Sequence, residues 1–112
     1  MTRFESLIML EKEFAAQVEA LASYRGYMYY HTHRSQNSAA GWPDYVFVKL
    51  EPEPRFIIAE LKTDDLKVSQ PSFDQWMWLY VLQHIGRPWG PMDFDTYLWR
   101  PSDWDEIVTI LR

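Results

Sequence analysis

Two six-residue apolar runs, Tyr45 to Leu50 and Phe56 to Leu61, stand on either side of Glu51-Pro52-Glu53-Pro54. Runs this short, rich in β-branched and aromatic residues and separated by a proline-bearing turn, predict two strands paired as an antiparallel hairpin. That pair commits the chain to a sheet, and the flanking sequence supplies its cover. From Phe4 to Tyr24 the apolar residues Leu7, Ile8, Leu10, Phe14, Ala15, Val18, Leu21 and Ala22 recur at three- and four-residue steps, which predicts an amphipathic helix stopped by Gly26. Tyr27 to His31 reads as a short aromatic strand, and the polar run Thr32 to Ser38 as a loop that ends at Gly41-Trp42-Pro43.

Beyond the hairpin, Thr63 to Val68 reads as a charged, flexible stretch. Ser69 to Ser72 then offers N-cap chemistry, with Pro71 suited to a first turn, for a helix running to about Ile85 and closed by Gly86. Arg87 to Asp95, with two Pro and a Gly, is a loop. Thr96 to Arg100 predicts a last strand, and Ser102 is expected to cap a short C-terminal helix with Glu106 and Ile107 on its first turns. The order is α-β-β-β-α-β-α, an α/β fold with a mixed sheet flanked by helices. At 112 residues, 47% hydrophobic and 17% aromatic, the chain reads as one domain spanning residues 1–112 with ample core-forming surface.

Eleven Lys and Arg against sixteen Asp and Glu leave a net charge of −5, which argues against an unaided basic sleeve for nucleic acid. With no Cys, disulfide frameworks, thiolate zinc and cysteine nucleophiles are excluded, so any metal must be held by oxygen or imidazole. No apolar run approaches the ~20 residues a bilayer needs, and Glu11, Lys12 and Glu13 stand where a signal peptide would be apolar. A cytoplasmic protein without a membrane partner or an organic cofactor is expected.

Chemistry concentrates at Pro43-Asp44 and, sixteen residues after Asp44, at Glu60-Leu61-Lys62. On the hairpin reading Asp44 starts one strand while Glu60 and Lys62 end the next, so the three meet at one edge of the sheet. Alternation turns Glu60 and Lys62 to one side and Leu61 to the core. Two carboxylates on adjacent strands, with the backbone carbonyl of Leu61 between them in sequence, are hard oxygen donors suited to Mg²⁺ or Mn²⁺. An adjacent lysine can orient or deprotonate a water and steady phosphate charge.

Gly41-Trp42-Pro43-Asp44, Glu60-Leu61-Lys62-Thr63, Gln75 with Trp78 and Leu79, and Trp99-Arg100-Pro101-Ser102-Asp103-Trp104 leading into Ile107 follow one another in order. Together they resemble the PD-(D/E)XK nuclease superfamily, and within it the virus-type replication-repair nuclease (VRR-NUC) domain, over nearly the whole chain. The resemblance implies a restriction-endonuclease-like fold and metal-dependent cleavage of DNA phosphodiester bonds. It makes Asp44 and Glu60 metal ligands, Lys62 the catalytic lysine, and Gln75 the helix glutamine that approaches the site. It also implies an acidic residue on the first helix. Glu11, three before Phe14 and seven before Val18, matches the family's Glu-x-x-Phe-x-x-x-Val spacing; Glu13 competes, about 200° away around the helix. A homodimer acting on branched DNA, and phage or prophage origin, follow from the resemblance alone.

The sequence departs from the family between Lys62 and Gln75, which is longer and more acidic than the short Gly-Lys turn expected there, and in the inserted loop Arg87 to Asp95. His31, Arg34 and Ser38 are assigned to phosphate contact, since imidazole, guanidinium and hydroxyl all donate to phosphate oxygens. Asp64-Asp65, and Asp93 with Asp95, read as solvated loop charge. Trp76, Trp78 and Leu79 read as core and helix packing, with base stacking the lesser alternative, and Trp42 as packing or substrate contact equally. Two rivals to a standalone endonuclease are a nicking subunit of a phage packaging or recombination machine, and a nuclease-fold module that binds DNA or protein without cutting.

Overall fold

The computed structural model describes residues 2, 5, 9–32 and 39–112. Its element order is α1 (Glu11–Tyr24), β1 (Met28–His31), β2 (Tyr45–Lys49), β3 (Arg55–Leu61), α2 (Phe73–Ile85), β4 (Asp95–Trp99), a 3₁₀ turn (Pro101–Asp103) and α3 (Trp104–Ile110). The sheet runs β1-β2-β3-β4, with β1/β2 and β2/β3 antiparallel and β3/β4 parallel. This is the expected order of helices and strands in a mixed sheet flanked by helices.

The hairpin register pairs Tyr45 with Ala59 and Lys49 with Arg55. Because side chains alternate, Tyr45, Phe47, Ile57, Ala59 and Leu61 share one face. There they form a core with Phe14, Val18 and Ala22 of α1, Ile107 and Ile110 of α3, Leu111, and Trp99 of β4. Phe14, Val18 and Ala22 stand four apart, which is why one stripe of α1 seals this side. Helix α1 does not run from Phe4 as its apolar period predicts, because Leu10 is extended and serves as the N-cap of a helix that starts at Glu11; it ends where expected, with Gly26 at a positive φ of 85° and Tyr27 N donating back to Ala22 O. Helix α2 packs beside β4 through Leu79 and Leu82, with Gln83 Nε2 donating to Thr96 O across the contact.

Three expectations are corrected. Ser102 does not cap the last helix: a 3₁₀ turn intervenes, Asp103 Oδ2 accepts from Arg100 N, and the Ser102 hydroxyl donates instead to Asp64 Oδ1 at 2.8 Å. The 63–68 stretch is a tied-down turn, with Arg100 Nη1 donating to the carbonyls of Thr63 and Ser69, Thr63 N donating to Ser69 Oγ, and Asp65 Oδ1 accepting from Lys67 N. Asp93 and Asp95 are not loose charges, because Arg87 forks onto Asp95 (2.7 and 3.0 Å) and onto Asp93 (2.7 Å). Among the described residues no helix is long and apolar enough to cross a membrane.

Candidate active site

Asp44 precedes β2, and the β1–β2 ladder extends far enough to hold it: Thr32 N donates to Asp44 O and Thr32 Oγ1 to Pro43 O, each at 2.8 Å. Behind it, Gly41 adopts a φ of +82°, and a Cβ there would lie 2.5–2.6 Å from the backbone of Asp74 and Gln75. Only glycine lets this loop lie against the start of α2. Trp42 packs edge-on against Trp78, whose indole Nε1 donates to Ala40 O, so Trp42 serves packing. Trp76, expected in the core, stands half exposed on α2.

One step beyond the Tyr45–Ala59 pair, the register sets Asp44 opposite Glu60. Asp44 Oδ2 accepts from Leu61 N at 2.8 Å, which leaves its second oxygen for another partner. Glu60 is 1% exposed, and among the described residues no N–H or hydroxyl donor reaches either of its oxygens; the Asp44 carboxyl is its one side-chain hydrogen-bonding neighbour. A carboxylate in that position is costly to ionise. Burial, followed by the adjoining Asp44 carboxyl, pushes the Glu60 pKa far above the usual carboxylate range; Lys62 opposes this and Glu11 adds to it. The cation-free pair therefore favours a protonated Glu60 over a second bare carboxylate.

Asp44, Tyr45 and Leu61 form one wall of a cleft of about 460 Å³ whose other walls are Glu11 and Glu19 of α1 and His31 of β1. Glu11, not Glu13, lines this cleft, so the helix is rotated as its spacing to Phe14 and Val18 requires. Glu19, which sequence reading passed over, gathers the aromatic side of the cleft: Tyr45 Oη donates to its Oε2 and Tyr29 Oη to its Oε1, and His31 Nδ1 lies 3.9 Å away. The His31 ring stacks on Tyr45, with centroids 4.4 Å apart and planes 9° apart. Burial, then the Glu19 contact, raises the Tyr45 pKa, which keeps this phenol a donor. Lys62 is half-buried beside Glu60, its amide donating to Trp99 O.

Gln75 has another employment. Its side-chain oxygen accepts from Ser72 N at 2.8 Å while Ser72 Oγ accepts from Gln75 N, a reciprocal capping box at the start of α2. Arg34 and Ser38 lie outside the described residues.

Among the described residues no three His, Asp or Glu side chains form a ready-made metal cage. The donor set nevertheless suits a hard cation. Mg²⁺ commonly takes one or two carboxylates and keeps several waters. Here two carboxyls lie together, one of them buried with no N–H or hydroxyl donor on either oxygen, which is the kind of polar group that needs an ion or a shared proton to satisfy it. No family model, curated protein or solved structure matches this chain.

Proposed function

We propose that this chain is a Mg²⁺- or Mn²⁺-dependent endodeoxyribonuclease with a restriction-endonuclease-like fold, selective for branched or junction DNA and serving phage replication, repair or recombination. The observation that carries the chemistry is the pair formed by Glu60, a buried carboxyl that no N–H or hydroxyl donor reaches, and Asp44, which lines an open cleft. Asp44, Glu60 and the carbonyl of Leu61 would hold the ion. When bound, it supplies charge neutralisation at the phosphate and a more acidic water as nucleophile. Glu60 gives up its proton as the ion is taken, so binding is coupled to pH.

Lys62 then faces the attacking water and the phosphate, orienting the one and steadying the other while the in-line attack forms one P–O bond and breaks the opposite one. Glu11 completes the acidic wall on the α1 side, and His31, held by its stack on Tyr45, donates to a phosphate oxygen.

The test is incubation with linear duplex, single-stranded, flap and four-way DNA under Mg²⁺ and Mn²⁺. Asp44→Ala and Glu60→Ala should each lose both cation binding and cleavage. Lys62→Ala should keep cation affinity and slow single-turnover cleavage at least about 100-fold. Near-normal cleavage by both carboxylate variants overturns the assignment. The net charge of −5 favours one other reading, a nuclease-fold module that meets protein without cutting; cation binding with no cleavage of any of the four substrates would select it.

A further inference from the structure

Three rings on the α1 face of the sheet lie one against the next. Tyr45 and Phe47 are two apart on β2, so both turn to the core, and His31 is the residue that the ladder pairs with Tyr45. Phe47 and Tyr45 stack with centroids 5.3 Å and planes 14° apart, and Tyr45 and His31 with centroids 4.4 Å and planes 9° apart. The two inner rings are wholly buried, whereas the His31 side chain is 41% exposed and lines the cleft of Asp44.

What holds the stack is rigid. Tyr29 lies edge-on to Tyr45 at 5.9 Å, and Glu19 accepts from the hydroxyls of both, so Tyr45 cannot tilt without breaking a contact. The plane of the imidazole follows the ring beneath it. A ring fixed in this way, with one face against the stack and its side chain reaching the cleft, is a platform for another flat π system.

The neighbouring site narrows the class of that partner. Tyr45 directly follows Asp44, and Thr32 N donates to Asp44 O, so the platform adjoins the carboxyl pair. A nucleotide carries both a flat π system for the one and a phosphate for the other. A base on His31 would then belong to a nucleotide adjoining the scissile phosphate, and stacking uses the face of the imidazole while phosphate contact uses its edge. In continuous duplex every base is stacked and paired and must be extruded at a cost, whereas a base at a flap or gap is unpaired from the start.

We propose that His31 is a specificity-determining residue that stacks an unpaired nucleobase beside the scissile phosphate. The ligand class rests on the nuclease reading; the inference adds the feature of branched DNA that the cleft recognises.

Fluorescence anisotropy in Ca²⁺ tests it without cleavage, using a labelled flap DNA and a series in which one abasic residue replaces successive unpaired nucleotides from the branch point. One abasic position should raise the Kd of the parent by about 5- to 150-fold, the range of a lost base–aromatic stack. The same position should cost His31→Phe a similar factor, although its overall affinity falls with the lost phosphate donor, and should cost His31→Ala less than about twofold. Far-UV circular dichroism checks folding. If His31→Ala does not fold, photocross-linking of the parent decides, since 5-iododeoxyuridine at that position should attach to His31. No sensitive position, equal sensitivity in His31→Ala, insensitivity in His31→Phe, a cross-link elsewhere, or no binding of the flap overturns the proposal. Cleavage of the same flaps in Mg²⁺ reports separately on the nuclease reading: a coupled base without cleavage keeps the platform and fails the enzyme, and cleavage without coupling does the reverse.

Discussion

A carboxyl that is buried, beside a second carboxyl and without a donor weakens the protein that carries it. For Glu60 the sign follows from linkage. Its folded pKa is raised, so above the ordinary carboxylate range the unfolded chain sheds a proton that the folded chain keeps. Stability of the cation-free protein should therefore fall as pH rises from that range toward the raised value, by at most about 1.4 kcal/mol per pH unit. Glu60→Gln should abolish that slope in urea melts, raise the neutral-pH midpoint, and remove any stabilisation by Mn²⁺; a variant less stable than the parent at pH 7 would contradict this account of the site. The meeting of Asp44 and Glu60 was legible in the sequence, because the short turn between the two runs dictates the hairpin register. The depth of Glu60 was not, since alternation tells which face a residue takes and not what covers that face. Glu19 was invisible for a related reason: its partner Tyr45 stands 26 positions away, and only the packing of α1 on the sheet brings them together. Gly41 makes a second prediction at this scale. Gly41→Ala meets both a positive φ and the backbone of α2, so it should cost at least about 1–2 kcal/mol from conformation alone, and its cleavage should fall with the displacement of Asp44.

At the scale of elements, periodicity carried the reading furthest where one force dominates. The strands of the hairpin and the stripe Phe14, Val18, Ala22 are set by burial alone, and they lie where pattern puts them. Connections were harder, because their order comes from side chains that reach across the fold. Arg100 pins the turn after β3 from the end of β4, and Asp64 takes the Ser102 hydroxyl from 38 residues away. Local chemistry there reads as loose charge. The capping box of α2 shows how one residue can satisfy two readings, for a glutamine three positions after Ser72 is both a good N3 partner and the helix residue of the family pattern. The two roles separate on substitution. Gln75→Glu preserves the capping box, whereas Gln75→Ala breaks it at a cost of about 0.5–2 kcal/mol. If Gln75 acts only through the cap, Gln75→Glu keeps both the parent's melting temperature and its cleavage rate, and a large loss of cleavage at unchanged stability would assign the amide to the site itself.

For the whole molecule, the question is how an acidic protein holds a polyanion. Among the described residues, five cations are engaged elsewhere: Arg87 is forked onto two aspartates, Arg100 onto two carbonyls, and Arg25, Lys49 and Arg55 donate to backbone carbonyls near Arg112, at the end of the strands remote from Asp44. The cleft is lined by Glu11, Glu19 and Asp44, with Lys12 the one lysine among its described residues set against them. Phosphate brought to that wall meets carboxylates in a partly desolvated setting, where repulsion is stronger than in bulk water. A divalent ion reverses the sign locally. DNA affinity should accordingly be weak in chelator and rise at least about tenfold when Ca²⁺, which occupies oxygen sites while commonly supporting less chemistry, is added at constant ionic strength. Asp44→Asn with Glu60→Gln should bind DNA in chelator better than the parent, because the Asp44 charge is gone and only Glu11 and Glu19 still repel, yet gain nothing from Ca²⁺. Fluorescence anisotropy with a labelled four-way junction distinguishes these cases. Tight binding by the parent in chelator, indifferent to Ca²⁺ and to the double variant, would move the DNA contact to another surface and leave the cleft without its substrate.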